Sequence, residues 1–505
     1  MTRIVKANMI VAACLACCAL CSGCSKSDSA ADKGGTAAPH ATLKSPEDLK
    51  KHNVLLVTLD TTRADYLSCY DSSKGKLSPN LDAIADDAVR FEFAITPAPS
   101  TPASHASILS GLWPFQHGVR VIAADAGYRL APDTPTLTTV LKEYGWTTAA
   151  FLSAFTVSEH YGFDYGFDVF DNGLTQDAST ILEDADDGRR TWVQMKHQRR
   201  SDATTDKAVA WLRSVKQRPV FMWVHYWDPH DRMVLPPEET LRRFVNPQMS
   251  EDETKRAIYR AEVNYMDAQF ARLIAALKDG GLYEDTIIAI VADHGQGLGQ
   301  HDWWPHRLLY QEQLHVPLLM RVPGWPTGKV VPQLVRTVDI YPTILEALGL
   351  QPRPGIAGVT LRGLMEGKQE QPRMAYTEVL NEYDLNSSVT RKRPKDNLLY
   401  GAMDRTWKLI FRYTYPEESE LYNLADDRHE LNNLFGQKPK QEKRLRALLD
   451  EFDGYVTAPL GSGAPAADVM EALESLGYVG GAEDYEDEPN QMEANEPATQ
   501  PTAQP

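Results

Sequence analysis

The stretch NVLLVTLDTTRADYL (residues 53–67) begins as an unbroken apolar run and ends on an acid, two threonines and Arg-Ala-Asp. An apolar run of this kind, closed by polar turn formers, reads as a strand buried on both faces. Such strands belong to parallel sheets covered by helices, where ligands gather beyond the carboxyl ends of the strands. Asp60 stands at that end.

The pattern recurs in TTAAFLS (147–153), PVFMWVHYWD (219–228), DTIIAIVADHG (285–295) and VPLLMRVPG (316–324), all of which suit buried parallel strands. Between them SPNLDAIADDAVRF (78–91), TLTTVLKEYG (136–145) and ETKRAIYRAEVNYMDAQFARLIAALKDGG (253–281) carry helical spacing and terminal signals. The alternation predicts an α/β sandwich with a mostly parallel sheet. For Asp60 alone, a turn or cap role is the commoner reading. VADHGQGLGQH (291–301) shifts the balance, because Asp293 and His294 end another strand and are followed by glycines that leave backbone room around a ligand. Two carboxylates and an imidazole at one sheet edge suit a metal ion.

In PAPSTPASHASILSGLWPFQHGV (97–119), three prolines precede a helix-like SHASILSGL, so Ser100 and Thr101 lie at a helix N-terminus, where backbone N–H groups favour an anion. Capping by Ser100, Thr101 or Ser104 is the ordinary alternative, but it leaves His105 and the prolines unexplained.

The net charge of −17 argues against a nucleic-acid binder that works by phosphate neutralisation. MTRIVKANMIVAACLACCALCSGC (1–24) has the layout of a bacterial export signal, and its end resembles a lipoprotein box that would place a lipid on Cys24; an uncut anchor and a conventional cleaved signal are the alternatives. Its apolar part is too short to favour a spanning helix. The expected localisation is the cell envelope, as a periplasmic or outer-membrane-anchored lipoprotein. Cys69 is the single cysteine beyond the leader, which excludes an internal disulfide there. Residues 25–52 read as a flexible tether and 461–505 as a disordered acidic tail. The body is expected to divide into a main domain over 53–350 and a C-terminal subdomain over 351–460.

Eight segments, among them LLVTLDTTRADYL, TPASHASILSGLWPFQHGV, HYWDPHD, TIIAIVADHGQGLGQH and ELYNLADDRHELNN, resemble in family order the sulfatase family of the alkaline phosphatase superfamily. The resemblance implies an alkaline-phosphatase-like sandwich with a small C-terminal α+β subdomain, formed by a short antiparallel sheet and a helix from about Lys440. It also implies a metal-dependent hydrolase of sulfate or phosphate esters with a nucleophile bound to the metal. By motif position, Asp60, Thr101, Asp293 and His294 form the shell of one divalent ion, for which Ca²⁺, Mg²⁺, Mn²⁺ and Zn²⁺ stay open. Thr61 sits where many sulfatases carry a second Asp.

Thr101 occupies the place of the Cys or Ser that formylglycine sulfatases oxidise, with His105 in place of the family's Arg. A register starting at Ser100 fits less well. Threonine cannot be oxidised to formylglycine, so no such cofactor is expected. A threonine nucleophile instead resembles the phosphodiesterases and phosphoethanolamine transferases of the superfamily and favours phosphoester chemistry. Catalytic roles fall to Thr101, His105, His230 and His306, and substrate contacts to His225 and His301. His225 and Asp228 either hold a second metal or order their loop; the second reading is preferred. His117 reads as structural. The expected partners are a small-molecule, glycan or lipid ester and a membrane reached through Cys24. A head-group transferase on a lipid or glycan, and a non-catalytic binding protein on this fold, are the alternative functions.

Overall fold

The computed structural model describes residues 51–172, 179–184, 190–195, 198–230, 234–452, 458–475 and 478–479. Cys24, the export signal and nearly all of the tether lie outside the described residues. No described helix is long and apolar enough to cross a membrane.

In chain order the strands are β1 (Asn53–Leu59), β2 (Val89–Ile95), β3 (Thr147–Phe151), β4 (Val169–Asp171), the hairpin β5 (Ser179–Asp184) and β6 (Arg190–Met195), β7 (Val220–Tyr226), β8 (Thr286–Ala292), β9 (His315–Arg321), β10 (Lys329–Arg336), β11 (Ala375–Val379), β12 (Leu399–Met403), β13 (Trp407–Arg412) and β14 (Glu420–Asn423). Eight of them form the main sheet in the order β10-β2-β9-β8-β1-β7-β3-β4, and β11 to β14 form a separate antiparallel sheet. Every residue of β1, β7 and β8 is buried, as the apolar runs require of central strands with helices on both faces. This is the α/β architecture expected, with the small antiparallel sheet and its helix Pro439–Asp450 following the main domain.

The long helix Glu251–Asp279 starts at a reciprocal cap: Ser250 Oγ accepts from the Glu253 N–H, and the Glu253 carboxylate accepts from the Ser250 N–H at 2.8 Å. The expected strand and helix positions hold with three corrections. First, β9 runs antiparallel to both β8 and β2. A parallel return needs a crossover helix packed on the sheet, and the chain between Ala292 and His315 forms loops and two short helical turns, Gln300–Asp302 and Gln311–Leu314, instead. Second, the helix expected over 78–91 stops at Asp86, and Val89–Ile95 alternates toward the core as β2. Third, the tail expected to be disordered from 461 contains a helix, Ala467–Ser475, because its Val469, Ala472 and Leu473 bury an apolar stripe against the core.

Candidate active site and metal centre

Strand pairing sets the site. β1 lies between β7 and β8 with Leu59 opposite both Tyr226 and Ala292, so Asp60 and Asp293 are the next residues out of adjacent parallel strands. Asp60 is tied to the neighbouring strand by its N–H donating to the Tyr226 carbonyl at 2.9 Å. One ligand atom each from Asp60, Asp293 and His294 lies within 4.8 Å of the others, and all three residues are buried. Asp293 Oδ1 accepts from the backbone N–H of Thr61 at 3.0 Å and of His294 at 2.7 Å, whereas its buried Oδ2 has no hydrogen-bond partner. Burial pushes the Asp293 carboxyl up to about 8, a state that a cation beside it would reverse. Thr61 holds this geometry with φ of +46°, an uncommon backbone for a β-branched residue.

The His294 ring is oriented for the same purpose. Its Nδ1–H donates to the Gly295 carbonyl at 2.9 Å, which leaves Nε2 bare, 3.5 Å from Asp293 Oδ2 and 3.3 Å from Thr101 Oγ1. Thr101 opens the helix Thr101–Ser110, after a Ser100 whose side chain makes no cap. An orphaned buried carboxylate oxygen, a bare imidazole nitrogen and a hydroxyl converging in this way fit a divalent ion. His225 Nε2 lies 3.1 Å from Asp60 Oδ2, so His225 fixes a carboxylate of this cluster.

Asp228 Oδ2 accepts from the N–H of Ser201 at the start of the helix Ser201–Ser214, a contact of the loop-ordering kind. Burial raises its carboxyl to about 7.

Three further histidines divide. His306 is buried, donates Nδ1–H to the Pro99 carbonyl at 2.9 Å and sets its ring 4.5 Å from that of His294. His230 stacks on Trp227 at 3.7 Å, stands 5.5 Å from the His306 ring and hydrogen-bonds through Nε2 to the Tyr478 hydroxyl at 2.9 Å. His105 is fully buried, spends Nδ1–H on the Thr101 carbonyl at 2.8 Å and packs 4.9 Å from the His225 ring. It therefore braces the first helical turn and the carboxylate cluster from below. Burial, as the largest cause, lowers His105 to about 4 and His294 to about 3, and takes His225 and His306 well below the usual imidazole range.

His301 is not brought to the cluster. Its Nδ1 pairs with Glu312 at 2.7 Å, its Nε2 with the Glu430 carbonyl at 3.2 Å, and its ring stacks on Tyr310. His117 bonds Ser107 and is structural, as expected. The glycines after His294 have a different purpose from the one expected: a side chain at Gly295 would meet the Glu312 carbonyl, and one at Gly297 the Trp303 and Pro305 carbonyls, so they admit the loop's own backbone. Sequence reasoning missed Tyr478 and Arg307. Tyr478 sits in a stretch whose composition reads as disordered, and Arg307 adjoins a histidine that drew the attention.

The sulfatase family model matches residues 52–350, and a second, N-sulphoglucosamine sulphohydrolase C-terminal, matches 299–453. The chain belongs to the sulfatase family and is a hydrolase of sulfuric or phosphoric ester bonds. It is 24% identical to an N-acetylglucosamine-6-O-sulfatase of Bacteroides thetaiotaomicron over 80% of this chain and 87% of that one. It is 24% identical to an arylsulfatase of Clostridium perfringens over 80% of this chain and 95% of the other. Among solved structures, a protein complexed with its substrate D-glucosamine-2-N,6-O-disulfate superposes with a TM-score of 0.63 at 22% identity, covering 80% of this chain and 98% of that one. A phosphonate monoester hydrolase from Silicibacter pomeroyi does so with 0.63 at 20% identity, covering 82% and 96%.

Proposed function

We propose that the chain hydrolyses phosphate esters in preference to sulfate esters, with Thr101 as nucleophile. The observation that carries this reading is the Thr101 hydroxyl at the N-terminus of its helix, 3.3 Å from the bare Nε2 of His294 and beside an orphaned carboxylate oxygen. Asp60, Asp293 and His294, with Thr101, would hold a divalent ion, which when bound lowers the pKa of a neighbouring hydroxyl and offsets charge on the substrate.

Thr101 attacks phosphorus in line and loses its proton to solvent as the new O–P bond forms and the ester O–P bond breaks. The resting tautomer of His306 presents Nε2 as an acceptor. The incoming anion favours its protonation, and that proton passes to the departing alcohol oxygen. Water then attacks the phosphothreonine: its O–P bond forms as the Thr101 O–P bond breaks, its proton passes to the now neutral His306, the Thr101 oxygen regains a proton from solvent, and the phosphate product leaves. A sulfated threonine is hard to release by this route, which favours phosphorus. His230 is the second candidate to meet the transferred group, and its place 5.5 Å from His306 supports the pairing. The export pattern and Cys24 support work in the cell envelope on a small-molecule, glycan or lipid ester; membrane fractionation of a Cys24→Ala variant tests the anchor.

The decisive experiment is release of 4-nitrophenol from its sulfate, phosphate monoester and phosphodiester by metal-supplemented protein, with Thr101→Ala alongside. Phosphoester turnover lost in the variant supports the reading. Sulfate turnover that survives the substitution overturns the nucleophile and returns Ser100 to consideration.

A further inference from the structure

Arg307 follows His306 and is 5% exposed, with φ of +83°, a backbone that an arginine adopts only at a cost. The Asn381 side chain holds that backbone by donating to the Arg307 carbonyl at 3.2 Å. Neither terminal guanidinium nitrogen makes a hydrogen bond. Nη1 comes within 3.3 Å of Asp384 Oδ2, but that oxygen already accepts from the Ile122 N–H at 3.1 Å. Burying a guanidinium without its hydrogen bonds is costly unless another acceptor supplies them.

The side chain lines a small cavity between the start of the Thr101–Ser110 helix and the C-terminal sheet, together with Ser100, Asn381, Asp384, Ile122 and Leu380. Two more buried polar atoms on that lining have no partner: the Ser100 hydroxyl, next to the nucleophile, and Asn381 Oδ1. Arg120 also borders the cavity, but its charge is met by Glu378 through two bonds of 2.7 Å.

We propose that Arg307 is the anion-recognising side chain of this site: with the Ser100 hydroxyl it holds an oxyanion carried by the substrate, in the cavity beside Thr101. A planar guanidinium whose terminal nitrogens make no hydrogen bond, one of them only ion-paired to Asp384, matches a two-oxygen face of a phosphoryl, sulfuryl or carboxylate group. The shared chemistry is an oxyanion, supplied either by the group being transferred or by a second acid on the alcohol part. The proposal takes from the functional reading only the position of the nucleophile.

The test compares metal-loaded wild type with Arg307→Gln and Arg307→Lys, after circular dichroism confirms folding. Calorimetry gives the Kd of inorganic phosphate, and turnover gives KM for 4-nitrophenyl phosphate and 2-carboxy-4-nitrophenyl phosphate. If Arg307 binds the transferred group, Arg307→Gln raises the phosphate Kd by about tenfold or more and raises both KM values together. If it binds a second acid, the phosphate Kd holds and only the carboxylate-bearing ester loses its advantage. Arg307→Lys, which keeps the charge and loses the fork, falls between in either case and decides the matter should Arg307→Gln not fold. A phosphate Kd and both KM values unchanged in a folded variant, with only its melting temperature lowered, overturn the proposal and leave an ion pair with Asp384. Absence of wild-type turnover on every ester sinks the functional reading alone, because phosphate binding is measured without it.

Discussion

The Tyr478 hydroxyl lies 2.9 Å from Nε2 of His230, and the ring of the same tyrosine sits 5.9 Å from the Arg307 guanidinium. A residue beyond both family-model matches thus reaches a histidine of the candidate site. Tyr478→Phe removes that hydrogen bond and keeps the packing. Turnover of the ester that the wild type prefers should fall by roughly threefold to tenfold, with metal affinity unchanged, as steady-state kinetics and metal titration can show.

Thr101→Ala should lower kcat by about 10³-fold or more, since among the described residues Thr101 is the hydroxyl that hydrogen-bonds His294 Nε2. Thr101→Ser should keep a measurable fraction, and a phosphorylated residue trapped by acid quench should map to position 101.

His225→Gln should weaken metal binding by about 10- to 100-fold while leaving the fold intact, because His225 orients Asp60. Asp293→Asn should weaken it further. Titration of the metal-stripped protein, read by calorimetry, separates the two.

His117 gives a pH signature apart from catalysis. Burial lowers its imidazole from 6.5 to about 3, so between these values the unfolded chain binds a proton that the folded chain does not. Stability contributed by the neutral ring is present above about pH 6.5 and is lost as the pH falls toward 3. His117→Gln should therefore flatten the decline of unfolding free energy between pH 6.5 and 4, as denaturant titrations at each pH would show. Asp228, raised to about 7 by burial, acts with the opposite sign: its contribution is full at low pH and is lost as the pH rises through 7.

The metal-site residues were legible because strand ends are. Asp60 and Asp293 close apolar runs, and the parallel pairing that brings them together follows from those runs alone. The role of His225 was not legible, since alternation along β7 does not reveal which neighbour an inward ring meets across the sheet. His301 misled for a related reason: thirteen histidines offer more candidates than one site holds, and this one spends both nitrogens on Glu312 and Glu430. The direction of β9 was hidden because antiparallel and parallel strands that are buried on both faces have the same composition. Arg307 and Tyr478 depend on contacts between distant segments, with Asp384 and His230, which no local pattern encodes.

The register of β1 against β8, with Leu59 opposite Ala292, has a dynamic consequence. The two carboxylates project from the last turns of the ladder at the middle of the sheet, so the ion site has no hinge of its own and opens only when the central strands part. Amide protons of Leu59, Asp60 and Ala292 should then exchange on the timescale of global unfolding, and adding metal should slow the whole sheet's exchange together and not that of a single loop.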